Sequence, residues 1–188
     1  IMNLMVMRFA NIIFEPVWHR DYIESVTVSW EEDKNIGSRG GYFDEAGIIR
    51  DVIQNHLLQI MALVAMEQPA DYSSESIMAE KIKAVKSIRP VTLDDCILGQ
   101  YTDGVCSGKA VKGYTAEESV PDESKRETFA LIKCAIDNSR WSGVPFYLRA
   151  GKALTKSSTE IIIQFKKVPG DIFQSPHHAN RLVVRVQP

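Results

Sequence analysis

The spacing of apolar residues changes near Val91, and this change constrains the fold more than any other feature of the chain. Before it, helical spacing recurs over 1–15 and 48–66, and a further helix is predicted over 75–87. After it, apolar and polar residues alternate with the period of a strand. The predicted strands lie around Val26, Val28 and Trp30 and at 97–101, 128–136, 145–149, 160–166 and 181–186. Helices followed by successive strands are typical of an α+β fold with a large, mostly antiparallel sheet and helices packed on one face.

Composition indicates an ordinary globular domain. Of the 188 residues, 45% are hydrophobic and 24% are charged, and the formal net charge is −2. The chain can therefore bury a sizeable core and offers no basic patch to a nucleic acid. No apolar run approaches the ~20 residues of a membrane span. Because the chain starts at Ile1 inside an apolar periodic segment and stops at Pro188 directly after a strand pattern, we expect one incomplete domain over 1–188, truncated at both ends.

The cysteines and histidines do not predict a metal site. Cys96, Cys106 and Cys134 are odd in number and lack CxxC spacing, so neither a disulfide framework nor a zinc site is expected. This usage is typical of a reducing compartment. The pair His177–His178 lies in a polar, turn-like stretch, for which we predict a solvated loop rather than metal ligands.

A glycine-rich loop, Arg39–Gly41, leads into a helix that carries much of the candidate chemistry. The loop lacks the GxGxxG and GxxxxGK[ST] patterns and so does not indicate nucleotide binding. The helix carries Asp51, Asn55 and His56 among apolar residues, and burying such groups is costly unless partners satisfy them. In α-helical geometry Asp51 and His56 lie about 140° apart, so they are not expected to share one face. His56 is therefore either a general base, with its orienting carboxylate supplied elsewhere, or a satisfied core histidine.

Two further candidates lie at predicted strand ends. Lys152 follows Gly151 where a strand gives way to a loop, a usual place for ligand-binding groups. It could hold a phosphate or a sugar hydroxyl as a compact cation, or it could be an ordinary surface lysine. Glu32 lies in the acidic run 31–33, which by itself is either a solvated turn or part of a site.

Several ordered blocks resemble glucose-6-phosphate dehydrogenases along nearly the whole chain. The most specific are RGGYFDEAGIIRDVIQNHLLQ at 39–59 and RWSGVPFYLRAGKAL at 140–154. Shorter blocks are RFANIIFEPVWHRDYI at 8–23, LVAMEQPA at 63–70, QFKKVPGDIF at 164–173 and RLVVRVQP at 181–188.

The resemblance implies a two-domain, NADP-dependent enzyme that oxidises D-glucose 6-phosphate at C1 to the 6-phosphogluconolactone, the first step of the oxidative pentose phosphate pathway. It implies that 1–188 is most of the second domain, which binds substrate and forms dimer contacts, and that the Rossmann cofactor domain is absent here. By position in the matched blocks, His56 is expected to be the base. Glu32 and Asp51 are expected to bind sugar hydroxyls, and Lys152 is expected to be a substrate-binding cation.

The resemblance also implies further, less specific site residues. Gln187 is expected to bind substrate. Some family members hold a second, structural NADP, for which Arg149 and Arg185 fit, with Gln187 a further candidate. Ser158 and Ile162, however, stand where those members place basic residues. Lys156 is offset by one place from a second basic residue of the family and is a weak candidate.

Partners and activity follow from the same resemblance. We expect a homodimer or homotetramer formed through the sheet, a cytoplasmic location with a plastid still open, and neither nucleic acid nor membrane as partner. The segment of the Asp-His-Tyr-Leu-Gly-Lys type, which in the family orients the histidine and binds phosphate, does not occur in these 188 residues. The chain alone is therefore expected to be inactive. The alternative from another class is a non-catalytic sheet domain that serves dimerisation or regulation.

Overall fold

A six-stranded sheet forms the centre of the structure, a computed structural model that describes residues 2–106, 108–170, 172 and 179–187. Its strands are β1 (Ile23–Glu31), β2 (Cys96–Gly99), β5 (Phe129–Ala135), β6 (Pro145–Gly151), β7 (Ser158–Phe165) and β8 (Arg181–Gln187). Their order in the sheet is β2-β5-β6-β1-β7-β8. All neighbours are antiparallel except β1 and β6, which run parallel. The predicted α+β class with a mostly antiparallel sheet is confirmed. A separate hairpin, β3 (Gly104–Cys106) and β4 (Lys109–Val111), lies between β2 and β5 in the chain.

Helices pack against the sheet through one apolar face. They are α1 (Met2–Phe9), α2 (Gly40–Ile48), a π-helix (Ile49–Leu57), α3 (Leu58–Ala65) and α4 (Ser74–Lys86). The π-helix contacts β1 and β6, while α1 and α4 contact α3. Val26, Val28, Phe146 and Leu148 lie on the sheet face that meets the core, and all four are buried. The π-helix is therefore positioned by its packing on β1 and β6.

The first and fourth helices test the predicted boundaries. The helix predicted over 1–15 ends at Phe9, and Pro16 instead lies in a 3₁₀ turn, Glu15–Val17. Asn11 Nδ2 donates to the carbonyl of Val6 at 3.2 Å, which gives the end of α1 a side-chain partner. The prediction for α4 is confirmed: the side chain of its N-cap residue, Ser73, accepts a hydrogen bond from the amide of Ser76 at 3.2 Å.

The helix predicted over 48–66 begins earlier and is interrupted. Helix α2 starts at Gly40, inside the predicted loop. A Cβ at Gly40 would collide with the carbonyl oxygen of Glu118, so this position requires glycine. At Gly47 the backbone has a φ of 73°, and a Cβ there would collide with the side chain of Glu127. Only glycine fits such a conformation and such a close approach without strain. Gly47 thereby kinks α2 shortly before the π-helix begins.

Three side chains from other parts of the chain cap the C-terminal end of α3. The guanidinium of Arg8, which is fully buried, donates to the carbonyls of Leu63, Val64 and Met66 at 2.9–3.0 Å. The indoles of Trp18 and Trp141 donate to the carbonyls of Val64 and Ala65 at 2.9 and 2.8 Å. These bonds satisfy the carbonyls that a helix end leaves unpaired.

Burial affects the pKa of Arg8 at this helix end. It lowers the pKa of Arg8 to about 10, although the nearby carboxylate of Glu15 opposes the shift. The guanidinium remains a cation near neutral pH, where a cation at a helix C-terminus also opposes the negative end of the helix dipole.

The joined helical segments Gly37–Ala65 are long and apolar enough to cross a membrane by length and composition alone. This differs from the sequence prediction, which found no apolar run of that length. Ile48, Leu57 and Met61 are each about 1% exposed or less and belong to the core of the domain. The apolar residues of this segment are therefore used in packing against the sheet.

The other face of the sheet carries apolar side chains that the core does not use. Leu131, Tyr147, Ile162 and Val183 alternate with the core residues of β5, β6, β7 and β8. All four are half-buried or exposed and lie outside the hydrophobic core cluster. We refer to these four residues as the open face.

Candidate active site

Glu32 lies directly after β1, at the end where β1 and β6 run side by side. Its amide donates to the carbonyl of Gly151 at 3.0 Å, which extends the pairing of the two strands by one step. Its carbonyl accepts from the amide of Leu154 at 2.9 Å. Glu32 is thus held by the backbone of the loop that carries Lys152, and it is not a free solvated turn.

Lys152 is buried and ion-paired. Only 2% of the residue is exposed, and its Nζ lies 2.6 Å from Oε2 of Glu32. The same Nζ lies 5.4 Å from the centre of the Phe43 ring, and the Lys152 amide donates to the carbonyl of Thr128 at 3.0 Å. A charge with so little exposure requires a partner, which Glu32 supplies. The surface-lysine alternative is wrong.

Hydrogen bonds and nearby cations keep Glu32 ionised. Burial opposes the charged form, but hydrogen bonds from Lys152 and Trp30 and the positive charges of Lys152 and Arg39 outweigh it. The pKa of the Glu32 carboxyl therefore lies below its ordinary value. The site presents a carboxylate, not a carboxylic acid, at neutral pH.

Trp30 connects Glu32 to His56. Its indole Nε1 donates to Oε1 of Glu32 at 2.9 Å, and its ring stacks on the imidazole of His56 with centroids 5.0 Å apart and planes at 23°. His56 is exposed on the π-helix. The core-histidine alternative is therefore wrong, and the imidazole is accessible to a ligand.

Asp51 lies on the same π-helix as His56 and is half-buried. The predicted angle of about 140° between them assumed α-helical geometry. That assumption is wrong here, because π-helical hydrogen bonds join residues five apart and widen each turn. Residues 51 and 56 are five apart and so lie closer to one side of the helix than predicted. In the part of the chain that the structure describes, no hydrogen bond or ion pair joins Asp51 to Glu32, Lys152 or His56.

Arg149 and Arg185 occupy one row on the opposite face of the sheet. Arg149 pairs with Ser29 across β6 and β1, Ser29 with Glu160 across β1 and β7, and Glu160 with Arg185 across β7 and β8. Successive residues of a strand point to opposite faces, so this row lies on the far side of the sheet from Trp30. These two arginines do not belong to the cluster around Glu32.

Carboxylates pair with the cations of this row. Arg149 lies 2.6 Å from Glu31, and Glu160 lies 3.3 Å from Arg185 and 3.7 Å from Lys156. The side chains of Arg149 and Arg185 are 41% and 75% exposed, and exposed ion pairs contribute little stability. Ser158 and Ile162 add no further charge. A structural NADP at this row therefore stays a prediction.

Two predictions lie partly or wholly outside the described residues. Gln187 is the last residue of β8 and pairs with Thr159, but its side chain is outside the described part, as is the His177–His178 segment.

Cys96, Cys106 and Cys134 are free thiols. Among the described residues no group of three histidine, cysteine or acidic side chains could hold a metal ion.

Sequence reasoning missed the part that Trp30 and Phe43 play in this site. Trp30 was predicted only as a strand residue, although residues two apart in an extended chain point to the same side. The spacing of Trp30 and Glu32 could have indicated the contact. Nothing in the sequence indicated that Phe43 would face Lys152.

The geometry is that of a site for a polar, hydroxyl-rich ligand. Glu32 offers acceptor lone pairs, Lys152 offers further N–H donors, and His56 offers an accessible imidazole. A model of the family "Glucose-6-phosphate dehydrogenase, C-terminal domain" matches residues 5–188. The chain belongs to the glucose-6-phosphate dehydrogenase family. The resemblance inferred from the sequence blocks is confirmed.

Individual relatives agree with the family model. The chain is 51% identical over 191 residues to the glucose-6-phosphate 1-dehydrogenase of Caenorhabditis elegans, covering 100% of the chain and 37% of the relative. It is 47% identical over 192 residues to the chloroplastic glucose-6-phosphate 1-dehydrogenase 1 of Arabidopsis thaliana, covering 99% and 33%. A solved structure described as glucose-6-phosphate dehydrogenase in complex with its substrate glucose-6-phosphate matches with a TM-score of 0.92 and 44% identity, covering 100% of this chain and 38% of that one. The chain thus spans about a third of the length of the curated relatives.

Proposed function

We propose that this chain is the substrate-binding and dimerisation domain of an NADP-dependent glucose-6-phosphate 1-dehydrogenase. The complete enzyme oxidises D-glucose 6-phosphate at C1 to 6-phospho-D-glucono-1,5-lactone, the first step of the oxidative pentose phosphate pathway. The observation that carries the proposal is the continuous cluster of Lys152, Glu32, Trp30 and His56 in a member of this family. The substrate bound in the related solved structure supports it.

Glu32 and Lys152 bind the sugar phosphate in this proposal. Each carboxylate oxygen of Glu32 accepts one hydrogen bond from the protein and retains a second lone pair for a sugar hydroxyl. The ammonium of Lys152 uses one N–H on Glu32 and has two left for an oxygen of the ligand. Asp51 adds a second carboxylate from the π-helix, and Gln187 remains a predicted substrate ligand.

His56 is the general base. Its imidazole removes the proton of the C1 hydroxyl as the C1–H bond breaks, and the carbonyl of the lactone forms from the remaining electron pair of the O–H bond. NADP, when bound, supplies the acceptor for the hydride. An exposed imidazole suits this proton transfer near neutral pH. The carboxylate that orients His56 is expected from the segment of the Asp-His-Tyr-Leu-Gly-Lys type.

The direct test measures NADPH formation by the purified full-length protein with glucose 6-phosphate and NADP. We expect turnover that depends on both. Glucose, which lacks the phosphate, is the matched control substrate and should react far more slowly, because its binding lacks the phosphate contacts. Absence of NADPH formation with glucose 6-phosphate would contradict the proposed function. The isolated 188 residues should form no NADPH, and measurable NADPH from them would contradict the expected need for the cofactor domain.

The open face supports a homodimer or homotetramer formed through the sheet. Leu131, Tyr147, Ile162 and Val183 place apolar surface where the chain's own core does not use it, and such patches often mark protein interfaces. Ile162→Glu should shift the sedimentation of the full-length protein towards the monomer. Ile12→Glu, at a residue 90% exposed in another part of the domain, is the control and should leave sedimentation unchanged. An unchanged oligomer in Ile162→Glu would contradict this interface.

The second, structural NADP receives less support. Arg149 and Arg185 remain its candidate ligands, but Glu31 and Glu160 pair with them. No step of the mechanism therefore passes through it. Calorimetry on the full-length protein would decide the point: Arg149→Ala and Arg185→Ala should leave the number of NADP molecules bound per chain unchanged if these pairs persist.

The compartment and the non-catalytic alternative have their own tests. A cytoplasmic location fits the free thiols, while the chloroplastic relative keeps a plastid open. Imaging of a fluorescent fusion of the full-length protein distinguishes the two.

A non-catalytic dimerisation domain would retain the open face without turnover, so the NADPH measurement separates it from the leading proposal.

A further inference from the structure

Trp30 makes two specific contacts with the groups assigned to chemistry, one through its edge and one through its face. Its Nε1–H donates to Oε1 of Glu32 at 2.9 Å, and its ring lies against the His56 imidazole at 5.0 Å and 23°. The indole is half-buried at the end of β1, where backbone pairing with β6 fixes its position through Ala150. Trp30 thus lies between the carboxylate of Glu32 and the exposed imidazole of His56.

The two contacts depend on each other. Nε1–H is the only polar donor of an indole, and it lies in the ring plane. Rotation of the ring to follow His56 would therefore carry the donor away from Glu32. Conversely, Lys152 holds the Glu32 carboxylate at 2.6 Å. The hydrogen bond from Trp30 to this carboxylate then fixes the plane of the indole ring that stacks on His56. The position of the carboxylate and the tilt of the imidazole are set together.

The stack also places an aromatic face against the base during the reaction. When His56 takes a proton it becomes a cation against the face of a tryptophan, the aromatic ring that attracts cations most strongly. In the described part of the chain Trp30 is the one aromatic ring recorded against this imidazole. The attraction develops as the proton is transferred, so it acts on the reaction step rather than on substrate binding.

We propose that Trp30 is a positioning residue that orients the imidazole of His56 through its ring and the carboxylate of Glu32 through its Nε1–H. The inference rests on the proposed function and extends it to a residue that contacts both Glu32 and His56. It also separates two effects, since the ring face acts on proton transfer and the ring N–H acts on substrate binding.

Two variants of the full-length protein separate these effects. Trp30→Phe retains an aromatic face and removes the N–H, so KM for glucose 6-phosphate should rise roughly 3- to 10-fold, as expected for one lost hydrogen bond to a charged group, with a smaller fall in kcat. Trp30→Leu removes both, so kcat should fall by on the order of tenfold or more because the imidazole is no longer held in position. Tyr22→Leu is the matched control. Tyr22 also contacts a histidine, His19, with ring centroids 5.0 Å apart, but this pair lies outside the site. It should change neither constant by more than about twofold.

A spectroscopic measurement tests the stack without turnover. The ring protons of His56, assigned by their loss in His56→Asn, should show a ring-current shift in NMR spectra. This shift should be smaller in Trp30→Phe and absent in Trp30→Leu. A resonance unchanged in Trp30→Leu would overturn the stack.

The kinetic outcomes are distinguishable from failure of the proposed function. If the wild-type protein forms no NADPH, the function itself is wrong. If the wild type is active but kcat is unchanged in Trp30→Leu, or KM is unchanged in Trp30→Phe, the positioning role is wrong. A fall in kcat restored largely by Trp30→Phe, with KM still raised, supports both halves of the proposal.

Discussion

The ammonium of Lys152 lies 2.6 Å from the carboxylate of Glu32, although the two residues are 120 positions apart and Lys152 is only 2% exposed. Neither partner would be stable as a lone charge in this position. The pair joins the end of β1 to the loop after β6, so the two proposed substrate-binding groups are part of the folded framework. Site and stability are therefore coupled here.

The first prediction concerns this coupling. Lys152→Met should lower the free energy of unfolding by about 2 kcal/mol, because it leaves the Glu32 carboxylate with one hydrogen bond fewer and without its ion-pair partner. It should also raise KM for glucose 6-phosphate. The double variant Glu32→Gln/Lys152→Met should regain stability but not substrate binding. Urea denaturation checks the first part, and a double variant less stable than Lys152→Met would contradict it.

The pH dependence of stability should report on Glu32. Its pKa is depressed in the folded state below the reference value of 4.5, so its ionisation stabilises the fold above that pH. The stabilisation is lost as the pH falls through the folded value. The difference in unfolding free energy between wild type and Glu32→Gln should therefore be constant near neutral pH and shrink below 4.5. A difference that grows on acidification would contradict this assignment.

Arg8 should be important for stability rather than for catalysis. In Arg8→Met the carbonyls of Leu63 and Met66 lose the Arg8 donor in a buried position, and the carbonyl of Val64 keeps only the indole of Trp18, which should cost about 3 kcal/mol or more. Arg20→Met is the control, because the Arg20 side chain is half-exposed and its contact with Asp21 is 3.9 Å long. That change should stay within about 0.5 kcal/mol. Equal unfolding midpoints for the two variants would rule out the capping role of Arg8.

Thiol reactivity should separate the cysteines. Burial, followed by the neighbouring Cys96 and Asp95, raises the pKa of Cys134 to about 11, so almost no thiolate exists at about pH 8. The pKa of Cys96 is also raised, by burial and by Asp95, but this thiol is partly exposed. Alkylation of the native protein followed by mass spectrometry should modify Cys96 first and leave Cys134 unmodified until urea is added. Equal native rates would show that β5 opens readily.

Strand positions could be predicted because one face of the sheet is buried and the other is not. Alternation over 128–136 and 145–149 led directly to β5 and β6. The π-helix could not be predicted, since a wider turn leaves no distinct pattern in a stretch of nine residues and is fixed by packing on β1 and β6. The expected separation of Asp51 and His56 failed for that reason.

The candidate site residues came from the resemblance rather than from pattern, and their roles stay predictions. On pattern alone, His56 and Lys152 each had an ordinary alternative, and both alternatives are wrong. The contacts that decide the matter join residues distant in sequence, such as Lys152 with Glu32, and they follow from sheet topology. The role of Arg149 and Arg185 stays a prediction, and the sequence blocks did not reveal that Glu31 and Glu160 pair with them.

The kcat of His56→Asn in the full-length protein tests the central claim most directly. If His56 is the base that removes the C1 proton, kcat should fall on the order of 10²-fold or more, while the variant keeps the wild-type unfolding midpoint because His56 is exposed. Near-normal kcat in a folded His56→Asn enzyme would contradict the assignment.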